Sequence, residues 1–309
     1  MSDHALEFRL EATQTPQRLD KLLAARMPQH SRARIQAWIA AGHVRVNGER
    51  VRIREKVGAG DHIQVWEQAS EAELAFVPEA MALDILAQTP DWIVINKPAG
   101  LVTHPGAGNW RGTLLNGLLH HFPELAHLAR GGIVHRLDKD TSGALVIARS
   151  EPAQTALVRQ LQAHTVYREY RALVHGRIQG EGMVDAPVGR DRHVPVRMSV
   201  QRSVAPRPAR TRYRVLRRGE LPGLGPVSEL VCWLETGRTH QIRVHLASLG
   251  HPLLGDRLYG GRCTPDCPRQ MLHARRLCFR TMAEGEERCF EAPWPEDFEA
   301  LRQRVAWKD

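Results

Sequence analysis

The chain has 309 residues, 42% hydrophobic and 25% charged, which excludes a disordered polyelectrolyte and leaves room for two domains, one with a sizeable core. A formal charge of +9 favours a polyanionic partner, nucleic acid above all, through its long-range field. No apolar run approaches membrane-spanning length, and Met1 to Pro16, with Asp3, Glu7 and Glu11, lacks the apolar core of a secretory leader, so a cytoplasmic protein with no membrane contact is expected.

Residues 1–16 read as an extension, and 17–67 as a small module. Leu19, Leu22 and Leu23 recur at helical spacing, and a second helix is predicted from Ser31 as N-cap to Gly42 as its terminating glycine, with Ile35, Trp38 and Ile39 inward. Val44 and Val46 alternate up to Asn47-Gly48, a strong hairpin signal, and Val51 and Ile53 resume the alternation beyond it. Ile63 and Val65 supply a last strand. The module holds ten basic residues against five acidic ones, among them Arg32, Arg34, Arg45, Arg50 and Arg52. Residues 68–82, with Glu71, Glu73, Pro78 and Glu79, read as a linker, and 83–309 as a second domain.

In that domain Trp92 to Ile95 is a predicted strand stopped by Asn96-Lys97-Pro98, since proline cannot donate within a ladder. Helices are predicted over Thr113–His121 and Ala153–Ala163, and strands over Ala144–Ala148, Arg171–Val174, Arg212–Val215 and Leu230–Leu234. Arg190 to Arg218 carries ten arginines against Asp191 alone, a candidate RNA-contacting edge. Lysines occur only at 21, 56, 97, 139 and 308, so the positive charge is nearly all guanidinium, suited to phosphate forks and base stacking. Cys232, Cys263, Cys267, Cys278 and Cys289 lack zinc or paired-disulfide spacing and read as free thiols in a reducing cytosol. The histidines show no metal-ligand spacing, so no metal is expected.

Two stretches stand out chemically. Gly131-Gly132-Ile133-Val134-His135-Arg136-Leu137-Asp138-Lys139-Asp140-Thr141-Ser142-Gly143 sets a carboxylate among basic residues just before a buried strand. By itself such a loop aspartate closes a turn or caps a helix as readily as it catalyses. Glu235 to His245 alternates polar and apolar residues as a strand would, with Thr239, Gln241, Arg243 and His245 on one face. Read alone, Arg243 is either a solvated surface residue or the buried partner of a carboxylate, and Tyr170, entering a strand, is first of all a core aromatic.

The His135-Arg136-Leu137-Asp138 run with its Thr141-Ser142-Gly143 tail resembles the catalytic motif of the ribosomal large-subunit pseudouridine synthase family. The resemblance implies that Asp138 is catalytic, that Arg243 pairs with it, and that Tyr170, in Tyr167-Arg168-Glu169-Tyr170, is the active-site tyrosine. It also implies that Arg136 and His135 meet RNA where a uridine leaves the stack. Asn96-Lys97-Pro98-Ala99-Gly100 resembles the family's first motif, read as structural support. His104-Pro105-Gly106-Ala107-Gly108-Asn109 resembles a D-type subgroup that joins the catalytic domain to an S-four-like RNA-binding domain, which the two helices and hairpin of 17–67 also resemble.

The fold implied is α+β, a mixed, largely antiparallel curved sheet around a central cleft, preceded by the S-four-like domain. The activity implied is isomerisation of uridine to pseudouridine in large-subunit ribosomal RNA, free or in precursor particles, by a monomer needing no cofactor. Acting on other rRNA sites or on transfer RNA is the alternative within this class. Two further readings are a glycosidase-like hydrolase using Asp138 with Asp140, and an assembly factor that binds RNA without chemistry.

Overall fold

A computed structural model describes residues 5–68, 74–106, 108–282 and 285–308. Asp3, Ala107, and Glu71 and Glu73 of the acidic segment lie outside the described residues. The chain divides into two compact units, Met1–Leu74 and Ala75–Asp309.

In the first unit helices Leu19–Arg26 and Arg32–Ala41 pack Leu19, Leu22, Leu23, Ile35 and Ile39 onto a four-stranded sheet. Ser31 caps the second helix by accepting from Arg34 N, and Gly42 ends it at φ 80°, where glycine bears no Cβ penalty. The sheet order is Leu6–Arg9, His62–Val65, Val44–Val46, Glu49–Arg50. Leu6–Arg9, in the stretch read as an extension, pairs along its length with His62–Val65. The hairpin at Asn47-Gly48 forms, but its return strand is only Glu49–Arg50, and the alternation at Val51 and Ile53 does not continue as strand.

Asp20, fully buried, accepts from Arg18, Arg32 and Gln36. Burial opposes its ionisation, but these three bonds outweigh it and hold the carboxyl well below the usual range. A carboxyl depressed in the folded state adds stability that is present above the unfolded value, near pH 4, and lost as pH falls through the folded one. Asp20→Ala is expected to destabilise this unit by about 2 kcal/mol, since Arg18 and Arg32 can turn back to water. Urea denaturation checks this; an unchanged midpoint would mean that the network is not stabilising.

The second unit is built on a ten-stranded sheet. Its path runs Glu181–Asp185, Arg210–Leu221, Gly225–Leu234, Tyr167–His175, Leu272–Arg280, Ser142–Ala148, Trp92–Lys97, Ile85–Gln88, with Glu287–Glu291 and Ala306–Lys308 pairing off this path. Every pairing in it is antiparallel except Leu272–Arg280 with Ser142–Ala148, joined in parallel at His273↔Ser142 and Ala274↔Gly143. At that junction Gly143 (φ 117°) lies so close that a Cβ would sit 2.2 Å from Ala274 O. Along Trp92–Lys97 the period of two sends Ile93 and Ile95 into the core with helix Leu114–His121, and Val94 into the core with helix Glu151–Gln162. Both faces are therefore covered, which is why Ser142–Ala148 is buried throughout.

Two expectations are corrected here. The segment predicted as a strand around Arg243 is a helix, Gln241–Ser248, entered through His240 at φ 55°. The alternation was a coincidence of four residues: Ile242 and Leu246, four apart, share one core cluster, and Thr236 Oγ1 and Arg238 N both donate to Gln241 Oε1, closing the turn before the helix. The cysteines are not all free either. Cys278 and Cys289 are directly opposed across the Leu272–Arg280/Glu287–Glu291 pair and form a disulfide, leaving Cys232, Cys263 and Cys267 as thiols. Among the described residues no helix is long and apolar enough to cross a membrane.

Candidate active site

The loop after the Gly131-Gly132 turn is pinned before it reaches the sheet. Lys97, fully buried at the end of its strand, donates from Nζ to Pro98 O, Leu101 O and Lys139 O, each within 2.9 Å. Gly100 N also donates to Lys139 O, Thr103 Oγ1 donates to Leu137 O at 2.7 Å, and Thr141 N donates to Asp138 O at 3.1 Å. Asp138 is thus held from both neighbouring peptides. Burial pushes the Lys97 ammonium down to about 7, against the pull of Asp138 and Asp140. The motif read as structural support thus ties the loop that carries Asp138 to the end of the Trp92–Lys97 strand.

Asp138 opens into a cleft of ≈ 520 Å³ together with His135, Arg136, Arg168, Tyr170 and Arg243. Asp140 is not among the residues that line it. Arg243 Nη1 donates to Asp138 Oδ2 at 3.1 Å. Its other two donors grip Asp256: Nε to Oδ2 at 2.8 Å and Nη2 to Oδ1 at 2.9 Å. The bidentate partner of Arg243 is accordingly Asp256, which sequence reading missed, and Asp138 receives the one remaining contact. Burial disfavours the guanidinium charge, but Asp256 and Asp138 more than restore it and raise its pKa. Tyr259 lies under the guanidinium, 5.1 Å from ring centre to Cζ, and is fixed by accepting from Met198 N at 2.8 Å and by a 2.8 Å bond to His240 Nδ1. Asp256 and Tyr259 come from one glycine-bounded loop, Gly255–Gly260.

Tyr170 is 5% exposed, and burial pushes its phenol up to about 12, with Asp138 adding to the rise and Arg168 opposing it. It is a neutral hydroxyl at any working pH. His135, named for RNA contact, is turned inward: its Nε2 accepts from Val146 N at 3.2 Å, and burial with the Arg168 charge pushes it down to about 3. Arg136 is exposed at the cleft.

In the first unit Arg45, Arg50 and Arg52 are exposed, whereas Arg32 is committed to Asp20, and Arg34 donates to Gln68 O and stacks over Trp38. Arg45 and Arg50 are cross-strand partners, like charges set directly opposite. In the arginine-rich stretch of the second unit, Arg210, Arg212 and Arg217 are bound to Asp185, Glu235 and Glu229, so the expected edge is reduced to residues such as Arg192, Arg202 and Arg207.

Comparison with known proteins follows the same division. The RNA pseudouridylate synthase family profile matches residues 91–248, and the S4 domain profile matches residues 17–63. The chain is 48% identical over 292 residues, 91% of its length and 76% of the relative's, to the ribosomal large subunit pseudouridine synthase D of Neisseria meningitidis serogroup A. It is 43% identical to the protein of the same description from Pasteurella multocida, covering 97% of this chain and 95% of that one. Among solved structures, human RNA pseudouridylate synthase domain containing 1 superposes with a TM-score of 0.57 at 30% identity, over 76% of this chain and 90% of that one.

Proposed function

The chain belongs to the RNA pseudouridylate synthase family, and we propose that it isomerises uridine to pseudouridine in large-subunit ribosomal RNA, with Asp138 as the catalytic carboxylate. The observation that carries the proposal is the Asp138–Arg243 pair in a cleft of ≈ 520 Å³, roomy enough for one nucleoside, with buried Asp256 gripping Arg243. The relatives' descriptions support the ribosomal target, and the S4 unit supplies an RNA-binding module, acting in a cytoplasmic monomer.

In this reaction the N1–C1′ bond of uridine breaks, a C5–C1′ bond forms, the C5 proton leaves and N1 gains one. Composition is unchanged, so no redox partner or group donor enters the balance. A uridine in a duplex or stacked loop must first leave the stack, at a cost of a few kcal/mol. Arg136, exposed at the cleft, is suited to fill the vacated space. Arg243 donates to Asp138 Oδ2 and so fixes where that carboxylate oxygen lies relative to the base. Asp256, holding two of the three guanidinium nitrogens, fixes where the third points. Tyr170 supplies a ring against uracil and a neutral hydroxyl within reach of a transferring proton.

Incubation with large-subunit rRNA labelled with tritium at uridine C5 tests the proposal. Expected are tritium release and pseudouridine in the digest without free uracil; free uracil would identify a hydrolase, and neither product a binder. Tyr170→Phe is expected to bind RNA normally and to lose turnover by about 10²-fold or more, the size of a positioned proton-transfer group. Normal single-turnover rates would leave the ring as the residue's only contribution.

Removal of Met1–Leu74 separates recognition from chemistry, because the cleft residues all lie in the second unit. The truncated protein is expected to modify a minimal stem-loop at higher RNA concentration. Each phosphate contact contributes a slope of about −0.7 in log affinity against log salt for single strands. Loss of contacts from Arg45, Arg50 and Arg52 should flatten that slope by about one or more. Equal affinities and slopes for the two proteins would show that this unit does not touch the RNA.

A further inference from the structure

We propose that Arg168 is an anchor for a phosphodiester of the RNA beside the uridine in the cleft, an inference that rests on reading the cleft as a uridine site. Three arginines of the second unit are almost fully buried: Arg168 at 7%, Arg243 at 6% and Arg269 at 8% exposure. Arg243 grips Asp256 with two donors, and Arg269 grips Asp297 with two, at 2.6 and 2.8 Å. Arg168 has no such partner. Among the described residues no carboxylate lies within ion-pairing distance of it; Nη2 reaches two carbonyls, Leu234 O at 3.3 Å and Glu235 O at 3.2 Å. Its Nε is buried without an acceptor, and among the described residues no hydrogen bond leaves Nη1.

A buried guanidinium without counter-charge is costly, and such a cation persists where function supplies the missing anion. The surroundings leave room for one. Arg168 lines the cleft, and the loop over its Nη1 carries Gly237, where a Cβ would lie 2.8 Å from that nitrogen. Arg168 and Tyr170 are both buried and both line the cleft from a single strand, two residues apart, which sets them about 6.6 Å apart along it. That offset is comparable with the reach from a base to its own phosphodiester, so a uracil against Tyr170 leaves a phosphate over Arg168. The planar fork suits phosphate oxygens, and burial that disfavours the Arg168 charge also strengthens its attraction for an anion.

The test is binding of the full-length protein to a large-subunit rRNA stem-loop that carries a candidate target uridine, made with a methylphosphonate in place of either phosphodiester flanking that uridine. Expected is about a tenfold loss of wild-type affinity at one of the two positions, the effect of one charge-assisted contact. Arg168→Gln should bind the unmodified RNA correspondingly less tightly, be indifferent to that methylphosphonate, and show a salt slope smaller by about 0.7. Arg168→Lys keeps the charge and should retain part of the methylphosphonate sensitivity, so the cycle can be closed if the glutamine variant does not fold. Wild-type affinity unchanged by both methylphosphonates would overturn the anchor, as would an undiminished loss in folded Arg168→Gln. Absence of pseudouridine with the methylphosphonate effect intact would count against the proposed reaction and leave the anchor standing.

Discussion

Asp138→Asn is expected to fold, to bind RNA within a few-fold of wild type and to lose turnover by about 10⁴-fold or more, the scale of removing a sole catalytic group. The substitution nearly preserves shape and leaves Arg243 its bidentate partner Asp256, so no buried cation is stranded. Stability should therefore change little, and single-turnover assays at saturating protein isolate the chemical loss. Asp140→Asn is the control. Asp140 does not line the cleft, and its backbone oxygen, which accepts from Arg269, survives the change, so substantial activity is expected. A loss equal to that of Asp138→Asn with normal folding would revive a two-carboxylate mechanism.

The second large effect is expected at the far side of Arg243. Asp256→Asn removes the charge that fixes two of the three guanidinium nitrogens, freeing Arg243 to turn a second nitrogen onto Asp138 beside Nη1. A doubly gripped carboxylate is a weaker nucleophile and base, and its placement relative to the uridine changes. Turnover is expected to fall by about 10²-fold, since misplacing a reacting group by an ångström costs that much, with RNA affinity unchanged. Arg243→Lys should lose at least as much, because one ammonium cannot hold Asp256 bidentately and reach Asp138 at the same time. A KM change without a kcat change in Asp256→Asn would make Asp256 a substrate contact instead of a positioning residue.

The small unit was largely legible because its signals are local: a serine cap, a terminating glycine and an Asn-Gly turn each act within four residues. The strands carrying Val94 and Tyr170 were legible as short strand-like runs, the first punctuated by Pro98, though Tyr167–His175 and Arg210–Leu221 run longer than their predicted centres. Where the sequence misled, the deciding contact was distant. The helix at Gln241–Ser248 is closed by a glutamine side chain that also donates to Arg210 O and Thr211 Oγ1, thirty-odd residues away. Cys278 and Cys289 meet only once the register of their hairpin is known. Asp256 sits in a loop without periodicity, and only folding carries it beneath Arg243. Lys97 did leave a trace: in a chain that uses arginine almost everywhere, a lysine where three carbonyls converge marks a place for a compact ammonium.

The central claim is that this chain makes pseudouridine in large-subunit RNA through Asp138. Its most direct test is nucleotide-resolution pseudouridine mapping of ribosomal RNA from a strain lacking the gene, complemented with the wild-type chain or with Asp138→Asn at equal expression. The expected result is that defined large-subunit positions lose pseudouridine on deletion, regain it with the wild-type chain and stay uridine with the variant. Restoration of those positions by Asp138→Asn, or a map unchanged by the deletion, would contradict the account.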